Sequence, residues 1–308
     1  MSKVATRAAY GNALARIIQE DKNIVVLDAD LTKSTNTNMA AKVCPERHFN
    51  MGIAEQNMMS VAAGLAASDK TVFASTFAMF AAGRAFEQVR NSICYPKLNV
   101  KVCATHSGLM VGEDGASHQA IEDIALMRAI PEMVVIQPAD AFETEAVIEY
   151  AAKYKGPMYV RLGRAAVESV YDENYRFEFG KGSVLSKGNK VAILATGAMV
   201  QESLMALEIL KESGIEPTLV NFHTLKPIDE KLIIELAENH DFLVTCEEHN
   251  IIGGLGSAVS EVLVKKYPKK VVMIGINDQF GESGKPEMLF KKHGLDAKSV
   301  AERILKEL

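Results

Sequence analysis

The sequence predicts a two-domain α/β protein in which each domain is a mostly parallel sheet covered by helices. Short β-branched runs alternate with longer segments of helical period, which is the pattern of βα units. The apolar runs do not alternate with polar residues, as expected for strands that helices cover on both faces. The chain has 308 residues, and its 48% hydrophobic content excludes an intrinsically disordered protein.

The first domain is predicted at residues 1–170. Its strands are expected at 24–28, 71–75, 99–105, 133–137 and 158–162. Its helices are expected near 5–20, 54–68, 78–95, 117–129 and 140–154. A polar and aromatic stretch without helical period follows at 171–189, and we interpret it as an irregular inter-domain linker.

The second domain is predicted at residues 190–308 and is a shorter α/β series. Its strands are expected at 190–196, 216–221, 241–247 and 270–276. Its helices are expected near 199–213, 227–239, 254–267 and 297–307.

Charge and cysteine content limit the classes of function. Lys+Arg is 34 and Asp+Glu is 39, so the net charge is −5, and binding to nucleic acid or to membranes is not expected. The four cysteines show no zinc-ligand spacing, and we expect them to be reduced thiols. The sequence shows no signal peptide and no apolar run of the ~18 residues that a membrane helix needs. We therefore expect a cytoplasmic protein.

Ligands of such sheets bind beyond the carboxyl ends of the strands, so the polar residues after each strand are candidates. Asp28 and Asp30 either cap the next helix or face a cationic or polyhydroxy ligand. Glu55 lies in the first turn of a helix. It either compensates the helix dipole or, among apolar neighbours, stays protonated and donates to a ring nitrogen. Phe77 and Phe80 share a face and form either core or a stacking wall for a heteroaromatic cofactor.

The loop at 105–119 is the most specific feature, since it holds two histidines, an aspartate and three glycines. Glycines permit a close backbone path, while His106, Asp114 and His118 at a strand end suit substrate binding and proton transfer. Metal binding is the alternative, but this spacing matches no zinc pattern. Arg164, just beyond another strand, either holds a phosphate or forms a surface salt bridge.

The second domain offers weaker signals. The glycine-rich stretch 253–257 opens a helix and predicts a tight helix entry more than an anion site. Glu247, Glu248 and His249 follow a strand, but nothing else in the sequence supports a site there. We assign no catalytic residue to this domain and expect it to serve assembly.

In this order, the segments resemble the transketolase family of thiamine diphosphate enzymes, with the pyrimidine-binding domain followed by the C-terminal domain. The stretch 52–56, Gly-Ile-Ala-Glu-Gln, is similar to the family's cofactor-activating segment, and 106–119 is similar to its substrate loop. The resemblance implies transfer of a two-carbon ketol unit from a ketose phosphate to an aldose phosphate, as in the pentose phosphate pathway.

The resemblance also implies cofactor-binding residues. Glu55 would form a hydrogen bond with N1′ of the aminopyrimidine ring and stabilise its imino tautomer. That tautomer takes the proton from C2 of the thiazolium, which gives the ylide. Phe77 would stack on this ring with Phe80 beside it, and Asp30 would lie near the thiazolium. One departure is Gly83, since transketolases usually carry an aromatic residue three positions after the second phenylalanine.

For the sugar, the resemblance implies that His106 and Asp114 meet hydroxyls or phosphate and that His118 lies close to the reacting carbon. The residues that match the family's positions for the distal phosphate are Arg7, Ser34 and Arg164.

The resemblance stops at the diphosphate. Family members bind Mg²⁺ and the diphosphate through a Gly-Asp-Gly motif on a separate N-terminal domain, and this chain has no Gly-Asp-Gly. The pyrimidine-binding domain begins within ten residues of Met1. We therefore expect the C-terminal subunit of a split transketolase, with a separately encoded N-terminal subunit supplying the Mg²⁺ site in an α₂β₂ assembly.

Three alternatives stay open. The first is half of a 1-deoxyxylulose-5-phosphate synthase, although that family generally has a carboxylate where this chain has His106. The second is the beta subunit of a 2-ketoacid dehydrogenase. The third is a non-catalytic regulatory subunit.

Overall fold

The computed structural model describes residues 3–308, and the strands in this range form three sheets of seven, five and two strands. The strands are β1 (Val4–Ala5), β2 (Ile24–Asp28), β3 (His48–Asn50), β4 (Thr71–Phe77), β5 (Val100–Thr105), β6 (Val134–Ile136), β7 (Met158–Arg161), β8 (Ala166–Val167), β9 (Ser183–Ser186), β10 (Val191–Ala195), β11 (Thr218–Asn221), β12 (Thr224–Lys226), β13 (Phe242–Asn250) and β14 (Val271–Ile276).

Helices pack against these sheets. The α-helices are α1 (Thr6–Glu20), α2 (Thr32–Thr35), α3 (Asn38–Val43), α4 (Glu55–Ala67), α5 (Phe86–Gln88), α6 (Asp123–Ala129), α7 (Ala141–Lys153), α8 (Met199–Glu212), α9 (Glu230–Asn239), α10 (Leu255–Lys266), α11 (Pro286–His293) and α12 (Ala297–Leu305). Local chemistry sets several of these bounds. Asp140 and Asp229 cap α7 and α9 through their side chains, and Gly294 in the left-handed region ends α11.

The seven-stranded sheet has the order β12-β6-β7-β5-β4-β2-β3. Its pairs are parallel except that of β12 with β6. All residues of β2, β4, β5 and β7 are buried, as their apolar sequences predict. The chain places β3 on one side of β2 and β4 on the other. The strand order therefore reverses between β2 and β4, which is where ligands bind in such sheets.

The five-stranded sheet has the order β14-β13-β10-β11-β9 and is parallel apart from β9. The two large sheets are tied together, because β12 directly follows β11 in the chain yet pairs with β6 of the other sheet. One hydrophobic cluster also runs through both halves, from Val72 and Tyr159 to Val220 and Leu255.

The predicted α/β architecture is confirmed, and every predicted strand is present to within a few residues. The linker interpretation of 171–189 was wrong in part, because β9 lies inside it. β9 is a short edge strand of mixed polarity, so only its pairing with β11 reveals it. The helix expected at 117–129 begins only at Asp123, since the preceding residues form turns and a bridge between Ser107 and Ala120.

Two further features of the described residues concern the helices and the cysteines. None of the helices within residues 3–308 combines the length and apolar character needed to cross a membrane. The cysteines are buried free thiols, and burial raises the pKa of Cys94 and Cys103 to about 12, so these sulfurs stay protonated.

Candidate active site

Four parallel strands of the seven-stranded sheet end side by side, and the predicted site residues follow these ends. β2 ends at Asp28, β4 at Phe77, β5 at Thr105 and β7 at Arg161. Since these strands are neighbours in the order β7-β5-β4-β2, the residues beyond them share one edge of the sheet. The structure thus brings most of the predicted residues together.

Glu55 is the first residue of α4, and its side chain is only 1% exposed. Its Oε2 lies 2.7 Å from Nη1 of Arg84, and the Arg84 guanidinium lies 4.5 Å from the centre of the Phe80 ring. A buried carboxyl group needs a polar partner. Here that partner is Arg84, whose side chain is 46% exposed.

Sequence reasoning missed Arg84. The helix expected at 78–95 is interrupted by a π-helical turn at Phe80–Arg84, and such turns are frequent at functional sites. The signal was the four-residue spacing between Phe80 and Arg84, which places both on one face. Gly83, where the family usually has an aromatic residue, is exposed, and a Cβ there would lie 2.9 Å from Cε of Met79. Met79 therefore fills part of the space that a larger residue would need.

Four rings form a cluster beyond β4 and β5, which we call the ring cluster: Phe77, Phe80, His106 and His118. Phe77 and Phe80 are stacked with their centres 5.9 Å apart, and His106 stacks on Phe77 at 3.8 Å. The edge of His118 faces both phenylalanines, at 6.1 and 5.5 Å. The two phenylalanines, which the sequence could equally place in the core, thus lie between Arg84 and the two histidines.

The histidines of the cluster differ in environment. Burial, together with the positive charges of Arg7 and Arg164 and the nearby His118, lowers the pKa of His106 to about 3. His106 is therefore neutral at physiological pH and can both donate and accept a hydrogen bond. Its Nδ1 lies 2.9 Å from the Thr105 hydroxyl, and its φ of 57° is a left-handed value that is uncommon outside glycine.

The three residues predicted to hold a phosphate come together from distant parts of the sequence. Arg7 donates from Nη1 to the carbonyl of Ser34 at 2.7 Å and from Nε to the carbonyl of Arg164 at 3.2 Å. Arg164 also donates to the carbonyl of Val111 and lies 3.3 Å from a carboxylate oxygen of Glu113. Burial and the charge of Arg164 lower the pKa of Arg7, as expected for two guanidinium groups that lie close together.

Two predicted residues lie outside this group of contacts. Asp30 is exposed, and its Oδ1 accepts a 2.9 Å hydrogen bond from the side chain of Asn50. Asp114 is exposed at the end of a 3₁₀ turn. Across residues 3–308, no hydrogen bond joins either carboxylate to the ring cluster. Asp28 is a structural residue, because its buried carboxylate accepts from Leu31 and from the hydroxyl groups of the turn that follows.

Taken together, the site has a buried carboxyl group and stacked aromatic rings at one end and two guanidinium groups at the other. His106, which is neutral, stacks on the aromatic rings and lies near the two guanidinium groups. Such an arrangement suits a heteroaromatic ligand next to a phosphorylated, hydroxylated one. In the described part of the chain, no three His, Cys, Asp or Glu side chains come close enough to hold a metal ion.

Comparison with family models agrees with this geometry. Residues 2–169 match the transketolase pyrimidine-binding domain, and residues 180–300 match the transketolase C-terminal domain. The chain belongs to the transketolase family. This family depends on thiamine diphosphate. The first matched domain holds six of the seven strands of the larger sheet, and the second holds the five-stranded sheet together with β12.

Individual relatives are similar over nearly the whole chain. A transketolase C-terminal section from Methanocaldococcus jannaschii is 55% identical over 305 residues, which is 98% of this chain and 96% of the relative. A split-gene transketolase solved as an inactive β4 tetramer has a TM-score of 0.92 at 55% identity, covering 98% of both chains. The 1-deoxy-D-xylulose-5-phosphate synthase of Caldanaerobacter subterraneus is 40% identical, and this chain spans 48% of its length.

Proposed function

We propose that this chain is the C-terminal subunit of a split transketolase. Together with an N-terminal partner subunit, it would transfer a two-carbon ketol unit from a ketose phosphate to an aldose phosphate. One observation carries the proposal. A buried carboxyl group, stacked aromatic rings and two histidines form one series of contacts, and two arginines lie near enough to His106 for their charges to lower its pKa. In this proposal the pyrimidine-binding domain is 1–170 and the C-terminal domain is 190–308.

At one end of the site, the residues fit the aminopyrimidine ring of thiamine diphosphate. Glu55 would bond the ring nitrogen N1′ in place of its contact with Arg84, while Phe77 would pack on the ring face with Phe80 beside it. Asp30 would lie near the thiazolium. When bound, the cofactor supplies a carbon nucleophile for the ketose carbonyl.

The diphosphate end of the cofactor has no counterpart among these residues. The chain contains no Gly-Asp-Gly motif, and residues 3–308 contain no metal-ligating cluster. We assign Mg²⁺ and the diphosphate to the partner subunit.

At the other end, the residues fit a phosphorylated sugar. His106 is neutral and can donate a hydrogen bond to a sugar hydroxyl without a change in its own charge. His118 and the exposed Asp114 are the groups on the same loop that are open to a sugar chain. Arg7 and Arg164, with Ser34, would hold the distal phosphate, since guanidinium groups bind phosphate oxygens in pairs.

Three comparisons support a split enzyme. The M. jannaschii relative is itself a C-terminal section, and the solved split-gene transketolase is an inactive tetramer of one kind of subunit. The full-length synthase extends over about twice the length of this chain. An α₂β₂ complex would bring each chain of this kind to a partner that carries the rest of the site.

A second candidate is the 1-deoxyxylulose-5-phosphate synthase reaction, because a synthase of that name is 40% identical to this chain. His106 argues against this candidate, since the resemblance implies a carboxylate at that place in the synthases. The 55% identity to a transketolase section also favours ketol transfer.

Product analysis separates these functions. The chain is mixed with a candidate N-terminal subunit, thiamine diphosphate and Mg²⁺, and is then given xylulose 5-phosphate with ribose 5-phosphate, or pyruvate with glyceraldehyde 3-phosphate. We expect a seven-carbon ketose phosphate from the first pair and no carbon dioxide from the second. Decarboxylation of pyruvate, acyl transfer to lipoamide, or full activity of the chain without a partner would overturn the proposal.

A further inference from the structure

The backbone of the loop between His106 and His118 is held from the C-terminal half of the chain. Glu248 lies in β13 and is 3% exposed, and its Oε1 accepts a 2.6 Å hydrogen bond from the amide of Met110. Gly108, with φ of 72°, makes this approach possible, because a Cβ there would collide with the Glu248 carboxylate. The Glu248 side chain therefore packs against the loop backbone at a position where only glycine leaves enough space.

A second set of contacts reaches the same loop from residues 281–284, which connect β14 to α11. Nε2 of Gln119 donates to the carbonyl of Glu282 at 2.9 Å, and Gly281 leaves the space that the Gln119 side chain fills. A Cβ on Gly115 would lie 2.5 Å from the Ser283 hydroxyl. The loop therefore lies closely against the C-terminal half at both ends.

Glu248 is itself held rigidly. Arg161, fully buried in β7, donates from Nη2 to the backbone carbonyl of Glu248 at 3.2 Å and from Nε to Asp123 at 2.8 Å. Because a strand and a buried ion pair fix its backbone, the carboxylate is a firm anchor for the Met110 amide.

We propose that Glu248 is a positioning residue for sugar phosphate binding, which fixes the loop at Met110 and so sets the placement of His106 and His118. The inference rests on the proposed function and gives the C-terminal half a part in substrate recognition as well as in assembly. It assigns Glu248 no contact with substrate.

The test uses three variants in the complex with the partner subunit: Glu248→Ala, Glu248→Gln and Glu247→Ala. Glu247 is the matched control, because it is buried next to Glu248 on the same strand but bonds the amides of Leu255 and Gly256 in α10 instead of the loop. Two properties are measured: hydrogen exchange of the Met110 amide and the dissociation constant for ribose 5-phosphate.

In Glu248→Ala we expect Met110 exchange to accelerate at least about ten-fold and ribose 5-phosphate to bind about 10–100-fold more weakly, as when a buried amide is left without its acceptor. Glu248→Gln keeps an acceptor oxygen and should stay within about three-fold of the native affinity. Glu247→Ala should match the native protein in both measurements. If Glu248→Ala fails to fold, Gly108→Ala tests the same contact from the loop side.

The inference would be overturned by unchanged Met110 exchange in Glu248→Ala, or by equal affinities in Glu248→Ala and Glu247→Ala. A native complex that does not bind ribose 5-phosphate would overturn it as well. If the expected pattern of affinities is found but no ketol-transfer product forms, the proposed function fails and the positioning role of Glu248 stands.

Discussion

The two large sheets carry similar residues at their carboxyl edges, and these residues have different roles. We call the edge of the seven-stranded sheet the first edge and that of the five-stranded sheet the second edge. Beyond the seven-stranded sheet, Glu55 is paired only with an exposed arginine, and His106 lies on a ring face beside two guanidinium groups. These groups have hydrogen-bonding capacity left for a ligand.

At the end of the five-stranded sheet, the carboxyl groups of β13 accept hydrogen bonds from backbone amides of the protein itself. Glu247 accepts hydrogen bonds from the first amides of α10, and Glu248 accepts one from the amide of Met110. His249 is buried with its Nδ1 2.6 Å from the carbonyl of Asn250. The comparison teaches that a carboxylate or histidine at a strand end indicates a reactive site only when its polar atoms are not already bonded to the protein.

The largest expected effect comes from a buried ion pair at the end of β7, whose arginine also donates to the backbone carbonyl of Glu248 in β13. Arg161 and Asp123 lie 2.8 Å apart, and both side chains are 0% exposed. Asp123→Asn leaves the buried guanidinium without its counter-charge, so the free energy of unfolding should fall by about 3–5 kcal/mol. Urea denaturation measures this change.

The matched control is the exposed pair of Arg16 and Glu149, whose atoms lie 2.6 Å apart. Glu149→Gln should change the free energy of unfolding by less than about 1 kcal/mol, because exposed pairs contribute little. Similar losses in the two variants would show that the buried pair of Arg161 and Asp123 has no special structural role.

The next effect tests the first edge, where activity and not stability should change. Arg164→Ala should raise KM for ribose 5-phosphate about 10–100-fold, because a hydrogen bond between charged groups contributes about 1.5–3 kcal/mol. KM for unphosphorylated ribose should stay the same. Steady-state kinetics of the reconstituted complex measure both, with Arg176→Ala at an exposed site as the control. A parallel rise in KM for the two sugars would contradict a phosphate role for Arg164.

The smallest effect concerns the pH dependence of stability. Burial raises the pKa of Glu247 from 4.5 to about 7, so the folded chain binds this proton more tightly than the unfolded chain does. Protonation of Glu247 therefore adds to the free energy of unfolding. This contribution is fully present below pH 4.5 and is lost as pH rises through about 7. Burial lowers the pKa of the neighbouring His249 to about 4, so that ring is neutral over most of this range.

Relative to Glu247→Gln, the native chain should therefore lose on the order of 1–2 kcal/mol of unfolding free energy between pH 5.5 and 7. Urea denaturation at several pH values gives this difference. A difference that does not vary with pH would mean that Glu247 is already ionised in the folded chain.

The strands and the edge on which the site lies could be predicted from the sequence. Buried parallel strands are apolar runs, and the polar residues that follow neighbouring strands lie at the same edge of the sheet. β9 and β12 could not, since short edge strands depend on the strand they pair with. The contact of Arg84 with Glu55 depends on a π-helical turn, and that of Glu248 with Met110 depends on packing between the two halves. The spacing of Phe80 and Arg84 places both on one face but does not identify Glu55 as the partner of Arg84. No spacing of nearby residues indicates the contact of Glu248 with Met110.

The most direct test of this difference between the edges is the rate at which the C2 proton of bound thiamine diphosphate exchanges with deuterium in the reconstituted complex. NMR of quenched samples gives this rate for the native protein, for Glu55→Gln and for Glu247→Gln. We predict that Glu55→Gln slows the exchange by about 10²–10⁴-fold, as for loss of a general acid–base group, while Glu247→Gln leaves it unchanged. Exchange at the native rate in Glu55→Gln, or equal slowing in both variants, would contradict the assignment of cofactor activation to the first edge.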